Sequence, residues 1–344
     1  MHDVVSILNS FGLAPFMMPQ SVPAWRPLQR DDLGFLNTLS EVFASTEKRD
    51  PHAFPVLRGA ECLFVASDYG GEHDEASWQT ITFLITDIID AAAWQPEREG
   101  VRRKLLPDGR RMAFKNLNDR VRRQAMDHFL EVANRLPGLL ATFAISKSLG
   151  SLFVKEGRLN PSLLEFEVLR NLPSSVAEKL LCIVHLLSLL VAGFSAPDQD
   201  LLWATDEDSI AANPTRLRHL VDVLACVSSQ LLPHGLRHLR VATARQDKGD
   251  MSLEDLLAIP DMVSGALSEA LASMLGVRGV PPRGFFLPPP TSISMKARRV
   301  MDWYSDNTQV LRRLIVLVDE APGTRGLRAT RLQLHGSCGA LGQP

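Results

Sequence analysis

Three stretches of the chain carry the residue types that could do chemistry, and their charges are segregated. Residues 61–90 hold seven acids, Glu61, Asp68, Glu72, Asp74, Glu75, Asp87 and Asp90, with no lysine or arginine. Residues 198–208 hold five more, Asp198, Asp200, Asp206, Glu207 and Asp208, again without a base. Between them, residues 97–123 set ten bases (Arg98, Arg102, Arg103, Lys104, Arg110, Arg111, Lys115, Arg120, Arg122, Arg123) against four acids (Glu97, Glu99, Asp108, Asp119). In both acidic stretches an aspartate follows a short apolar run, Asp68 after Cys62–Ala66 and Asp206 after Leu201–Thr205. Carboxylates gathered at adjacent strand ends hold hard divalent cations through oxygen ligands. Two such ions about 3.5–4 Å apart activate a water and stabilise a leaving oxygen. The basic segment would hold a phosphate backbone beside them. This pattern points to metal-dependent phosphodiester chemistry. Structural roles stay open to the same residues, since aspartates after strands also cap helices or sit in turns, and arginines line solvated helix faces.

Motifs for other chemistries are missing. The chain has no P-loop, no G-x-G-x-x-G and no serine nucleophile elbow, and its nine histidines include no H-E-x-x-H. Cys62, Cys182, Cys226 and Cys338 lie far apart without a C-x-x-C pair, which suggests neither a zinc site nor a disulfide scaffold. The formal net charge is −2, so no global field draws the chain to nucleic acid or to a membrane surface. The longest apolar run, Leu180 to Phe194, falls short of the ~18 residues of a spanning helix and contains His185. A buried helix is expected there. The opening Met1-His2-Asp3 lacks the cationic region of a secretory signal, and the expected location is cytoplasmic.

The elements that must position these residues follow from hydrophobic spacing and from glycine and proline punctuation. Strands are expected at Cys62–Ala66, Trp78–Ile85, Leu139–Ile145, Leu201–Thr205 and Leu236–Ala244, with a short possible strand at Met112–Phe114. Helices are expected at Leu33–Ala44, Leu117–Leu136, Leu163–Phe194 (broken near Pro173), Thr215–Leu232 and Ser252–Leu275, the last capped by Ser252 in an S-x-x-D spacing. Residues 1–58 read as an N-terminal extension and 59–278 as the main domain. Residues 279–344 read as a Pro-rich linker, a short helix Lys296–Tyr304 and a hairpin of Leu311–Val318 with Gly326–Leu334, turned at Pro322-Gly323. At 344 residues the length allows one large domain with appendages or two domains, and the element order is that of an α/β fold with a mixed sheet.

The order strand–Asp68–Gly70-Gly71, strand–Asp206-Glu207 and helical Asp261 resembles the RNase H-like domain-of-unknown-function 3800 (DUF3800) family of bacterial proteins. Its opening D-E-S-G corresponds to Asp68-Tyr69-Gly70-Gly71, and its basic residue before a helix to Lys115 in Phe114-Lys115-Asn116-Leu117. The strand ending in D-E corresponds to Trp203-Ala204-Thr205-Asp206-Glu207. The helical Q-x-A-D corresponds to Ala258-Ile259-Pro260-Asp261, followed by Met262 to Ala266. Tyr69 stands where the family has an acid, and Pro260 precedes the last aspartate in a motif that lacks its glutamine. The resemblance covers about residues 60 to 275. It implies an RNase H-like mixed five-stranded sheet with a C-terminal hairpin appendage. It further implies that Asp68, Asp206 and Asp261 converge on Mg²⁺ or Mn²⁺ in a nuclease (hydrolase), with Glu207 as a weaker ligand candidate. Lys115, Arg120, Arg122 and Arg123 are the expected contacts to nucleic acid. For Asp206 the competing role is N-cap of a helix beginning near Ser209, and for Asp261 a salt bridge to arginine. Lys115 has that of a solvated lysine. Asp119 and Glu72 are possible fourth carboxylates. Tyr69 and Pro260 favour the alternative function, a catalytically degenerate module that binds nucleic acid or protein. A homo-oligomer is compatible with either reading.

Overall fold

The computed structural model describes residues 23–335, except 29–32, Asp74, 156–157, 160–168, 170–171, 279–284, 287–291, Pro322 and 324–325. Seven strands form one mixed sheet: β1 (Cys62–Gly70), β2 (Trp78–Asp87), β3 (Gly138–Ser146), β4 (Asp200–Thr205), β5 (His238–Thr243), β6 (Leu311–Glu320) and β7 (Leu327–Leu332). Their order is β7-β6-β3-β2-β1-β4-β5. The pairs β1–β2, β2–β3 and β6–β7 are antiparallel, and β1–β4, β4–β5 and β3–β6 are parallel. Every residue of β3 is buried, as expected for a central strand covered on both faces.

Helices α1 (Phe35–Arg49), α4 (Ser174–Phe194) and α5 (Pro214–Leu231) cover one face, packing on Leu63, Val65, Phe83, Phe143 and Trp203. Helices α2 (Ile88–Leu105), α3 (Arg120–Ala133), α6 (Ser252–Arg278) and α7 (Met295–Tyr304) cover the other, packing on Phe64, Ala66, Leu84, Leu140 and Ala204. Odd and even positions of β1 thus serve opposite layers, the period-2 alternation of a strand. Helix α4 and residues 252–274 of α6 are long and apolar enough to cross a membrane, but 83% and 72% of those windows lie buried in this core.

Four expectations change. The sheet has seven strands rather than five, because the C-terminal hairpin is no appendage: β6 pairs with β3 from Gly138↔Leu311 to Ile145↔Val318. Met112–Phe114 is not a strand. The chain there is a loop leading into a 3-10 turn, Phe114–Asn116. Helix α2 occupies part of the arginine-rich segment, where no element was expected. Ser252 does not cap α6; the Asp247 carboxylate does, accepting from the Leu253 and Glu254 N–H groups at 2.9 and 3.2 Å. The expected helix before Pro173, most of the Pro-rich linker and residues 1–22 of the N-terminal extension fall outside the described residues. The described part of that extension is core: Trp25 stacks on Phe43 at 4.3 Å and presses on Gly193, where a Cβ would stand 2.0 Å from the indole.

Helix α2 was hidden because two of its inward positions are arginines. Ala91, Trp94, Arg98, Val101 and Arg102 are its buried residues, a helical spacing interrupted in hydrophobicity but not in geometry. Both guanidinium groups meet the fully buried Asp255 of α6. Arg102 binds it bidentately, Nε to Oδ2 and Nη2 to Oδ1 at 2.5 Å, and Arg98 Nη1 reaches Oδ2 at 3.1 Å. Removing one member of such a cluster strands buried charge. Asp255→Asn should therefore destabilise the protein by about 3 kcal/mol, measured as a lower urea midpoint at unchanged slope; a loss below about 0.5 kcal/mol, the scale of a surface substitution, would show that the cluster is not a structural tie.

Candidate functional site

The register of β1 and β4 builds the site. These parallel strands pair from Cys62↔Asp200 to Ser67↔Thr205, so the next residues in step are Asp68 and Asp206. Both follow the even positions Phe64, Ala66, Leu202 and Ala204, which face α6, and neighbouring strands lie about 4.8 Å apart. Strand β1 runs on to Gly70, so Asp68 sits within the strand rather than after it.

Small residues bring α6 close enough to complete the site. A Cβ on Gly70 would stand 2.7 Å from the Ser264 carbonyl oxygen, and one on Gly265 2.3 Å from the Phe114 ring. The Thr80 hydroxyl donates to the Ser264 carbonyl at 3.0 Å, and the Ser264 hydroxyl donates to the Asp68 carbonyl at 3.3 Å. One turn earlier on α6 stands Asp261, whose carboxylate accepts the Phe114 N–H at 2.5 Å. Phe114 is held from the other side as well: Lys296 Nζ lies 4.4 Å from its ring centroid and donates to its carbonyl at 3.0 Å.

Asp68, Asp206 and Asp261 line a single cavity of about 70 Å³, together with Arg111, Lys115, Asn116, Glu254, Leu257 and Ala258. Glu254 was missed by sequence reasoning, although its spacing carried a signal. It precedes Asp261 by seven residues, two helical turns, and so shares its face. Asp255, one position on, points instead to Arg98 and Arg102. Arg111 Nε lies 2.5 Å from Glu254 and its Nη2 3.8 Å from Asp206.

The other candidates are distributed as follows. Lys115 lines the cavity, but Arg120, Arg122 and Arg123 do not. Arg120 and Arg123 are exposed on α3, while Arg122 Nε donates to the Arg111 carbonyl at 2.7 Å and so supports the cavity wall from behind. Glu207 is turned away into an ion pair with Arg245 at 2.7 Å and accepts from the Thr243 hydroxyl. Asp119 caps α3 through the Arg122 N–H, and Glu72 pairs with Lys179. No helix follows Asp206 directly, since α5 begins at Pro214 under the Asn213 cap, and Asp261 makes no arginine salt bridge among the described residues. Tyr69 points to the opposite face. Its hydroxyl bonds Ser67 and Thr205 at 2.8 and 2.9 Å, and Lys179 lies 4.8 Å from its ring centroid. A tyrosine at 69 thus removes no carboxylate from the cavity.

Burial and neighbouring carboxylates raise the proton affinity of Asp68 and Asp261 in this cavity. Burial pushes the Asp68 carboxyl well above the ordinary carboxylate range, and the Asp261, Asp206 and Asp208 carboxylates add to it, opposed by Lys179. Burial, and secondarily Asp206, raises Asp261 to about 6 against the pull of the Phe114 N–H, Lys115 and Arg111. Burial also raises Glu254, against Arg111. Among the described residues, no three His, Cys, Asp or Glu side chains already stand as a metal-holding group. The carboxylates share the cavity without closing on one point.

A serine–histidine pair elsewhere does not compete as a nucleophilic site. Ser195 Oγ lies 2.8 Å from His234 Nε2, but Arg26 Nη1 lies 3.0 Å from Nδ1. A guanidinium only donates, so Nδ1 accepts and Nε2 keeps its proton. That tautomer cannot take a proton from Ser195. Comparison of the chain with protein-family profiles and with curated protein sequences gave no match.

Folding favours protonated Asp261. In metal-free protein its contribution to stability is present below the unfolded value near 4 and is lost as pH rises through about 6. In EDTA, Asp261→Asn should flatten this fall and be the more stable protein at neutral pH. Urea unfolding at several pH values between 4 and 7 checks it, and identical slopes for the two proteins would remove Asp261 from a buried anionic environment.

Proposed function

We propose that the protein is a divalent-metal-dependent nuclease of RNase H-like type that hydrolyses phosphodiester bonds of nucleic acid. The observation that carries this reading is the convergence of Asp68, within β1, and Asp206, just past the end of the parallel neighbour β4, with Asp261 of α6 around one cavity. These residues lie 138 and 55 positions apart in the chain (206 − 68 and 261 − 206). Holding Asp68 and Asp261 in a desolvated cavity beside Asp206 is destabilising when they are ionised, and a bound cation would offset that cost. Within the seven-stranded sheet, the run β3-β2-β1-β4-β5, antiparallel in its first two pairs and parallel in its last two, supports the RNase H-like reading.

The donor set suits a hard cation: carboxylate oxygens, those of Asp68 and Asp261 raised in proton affinity by burial and by neighbouring carboxylates, with no thiol or imidazole among them. Asp68, Asp206 and Asp261 would hold Mg²⁺ or Mn²⁺, with Glu254 at the cavity wall. When bound, such ions supply Lewis-acid activation of water and neutralise charge at the leaving oxygen. The chain's own residues do the rest. Lys115 offers a point charge to the phosphate next to Asp261. Leu257 and Ala258 give the cavity an apolar side that limits water. Phe114, clamped between α6 and α7, fixes the Asp261 carboxylate through its N–H.

One observation favours a second reading, a nucleic-acid or protein binding module without catalysis. Arg111 already neutralises Glu254 and lies near Asp206. A cleavage assay separates the two. Wild type is expected to cleave labelled single- or double-stranded nucleic acid with Mg²⁺ or Mn²⁺ and to stop in EDTA. Asp206→Asn should abolish turnover, by about a thousandfold or more, while retaining the fold. Lys115→Gln should weaken nucleic-acid binding and lower its salt slope by about one, and Arg123→Gln should leave that slope unchanged. Binding that persists in EDTA, with no cleavage under any metal, would establish the binding module instead.

A further inference from the structure

Arg111 is the one guanidinium among the described residues that lines the acidic cavity, and its two ends are held very differently. Its backbone is fixed: the carbonyl accepts Arg122 Nε at 2.7 Å, and the next residue, Met112, is buried in the core. Its side chain is 48% exposed, yet it reaches inward to Glu254, which is only 11% exposed, at 2.5 Å, and on to Asp206 at 3.8 Å. An anchored base with a solvated arm keeps the guanidinium within reach of the cavity without locking it there.

We propose that Arg111 is an exchangeable counter-ion of this cavity. In the metal-free protein it neutralises Glu254 and Asp206, and a divalent cation entering the carboxylate set displaces it. This rests on the metal-dependent reading given above and adds to it a residue that sets how readily the metal enters. Glu254, Asp206 and Asp261 share the cavity, while no three acids stand as a metal-holding group among the described residues. The guanidinium between Glu254 and Asp206 gives that separation a physical cause. A partly solvated ion pair is weak enough to be exchanged. The cation that replaces it interacts with several carboxylates at once. Once released, Arg111 remains tethered at the rim with its planar fork free, the geometry that pairs bidentately with phosphate. Exchange therefore couples metal entry to the appearance of a phosphate ligand in addition to Lys115.

The test is Mn²⁺ binding at fixed ionic strength, read by electron paramagnetic resonance, for wild type, R111Q and R103Q. Arg103 is exposed on α2 and lines no part of the cavity, so R103Q matches the loss of charge without touching the site. R111Q is expected to bind Mn²⁺ about tenfold more tightly than wild type, and R103Q to bind like wild type. Thermal unfolding in EDTA supplies a second readout: R111Q should melt lower than wild type without metal and show the larger gain at saturating Mn²⁺. If wild type binds Mn²⁺ and R111Q binds it no more tightly, the exchange is overturned while the metal site stands. The same holds if R111Q only lowers the melting temperature, which would make Arg111 a structural tie. If none of the three proteins binds Mn²⁺, the metal-dependent reading itself fails and the exchange falls with it.

Discussion

The in-register parallel pairing of β1 with β4 is the constraint around which the rest of the site is arranged. Ladder pairs run through Ser67↔Thr205, and the residues next in step, Asp68 and Asp206, both border the cavity beside α6. The two carboxylates repel, and burial on the Asp68 side weakens the screening by water. Cations are therefore concentrated around the acids. Lys115 and Arg111 stand on the cavity side, and Lys179 faces Glu72, Asp208 and the Tyr69 ring behind the sheet. The sheet is stable with this pairing because its apolar positions dominate. The site is where charge was admitted into that pattern.

Helix α6 shows how one element serves packing and chemistry together. Its Ser264-Gly265 step lets the backbone approach β1 and receive the Phe114 ring, and larger side chains there would hold Asp261 away from Asp68. Three acids on this helix have different environments according to their angle around its axis. Glu254 and Asp261, two turns apart, face the cavity. Asp255, rotated by about 100° from Glu254, is enclosed by Arg98 and Arg102 and ties α2 to α6. Pro260, just before Asp261, has no N–H to give the Leu256 carbonyl, so the helical ladder is interrupted where the helix borders the cavity.

The basic segment divides in a similar way. Its charge density suggests one phosphate-binding surface, yet Arg98 and Arg102 are core ties, Arg110 pairs with Asp108 and Asp119, and Arg122 supports the backbone of Arg111. Only Arg111 and Lys115 of this segment border the cavity. Arg102, Arg110 and Arg122 hold in place the loop that carries these two.

Most strands and helices were legible from local spacing, because alternation and helical periodicity are properties of short windows. Asp68 and Asp206 were legible too, each following an apolar run that reads as a strand. Helix α2 was not, because Arg98 and Arg102 replace apolar residues at inward positions and their partner, Asp255, lies more than 150 residues away. The placement of β6 beside β3, and so the seventh strand, was equally invisible: a hairpin looks the same in sequence whether or not it joins a larger sheet. Glu254 lay in view at a seven-residue spacing from Asp261, but Asp255 beside it offered the same charge, and only packing against α2 distinguishes them. The sequence by itself determined which segments form strands and helices and which carboxylates follow the apolar runs. The tertiary structure decided which charges share a cavity and which neutralise each other in the core, because that depends on registers and helix rotations set by contacts between residues far apart in the chain.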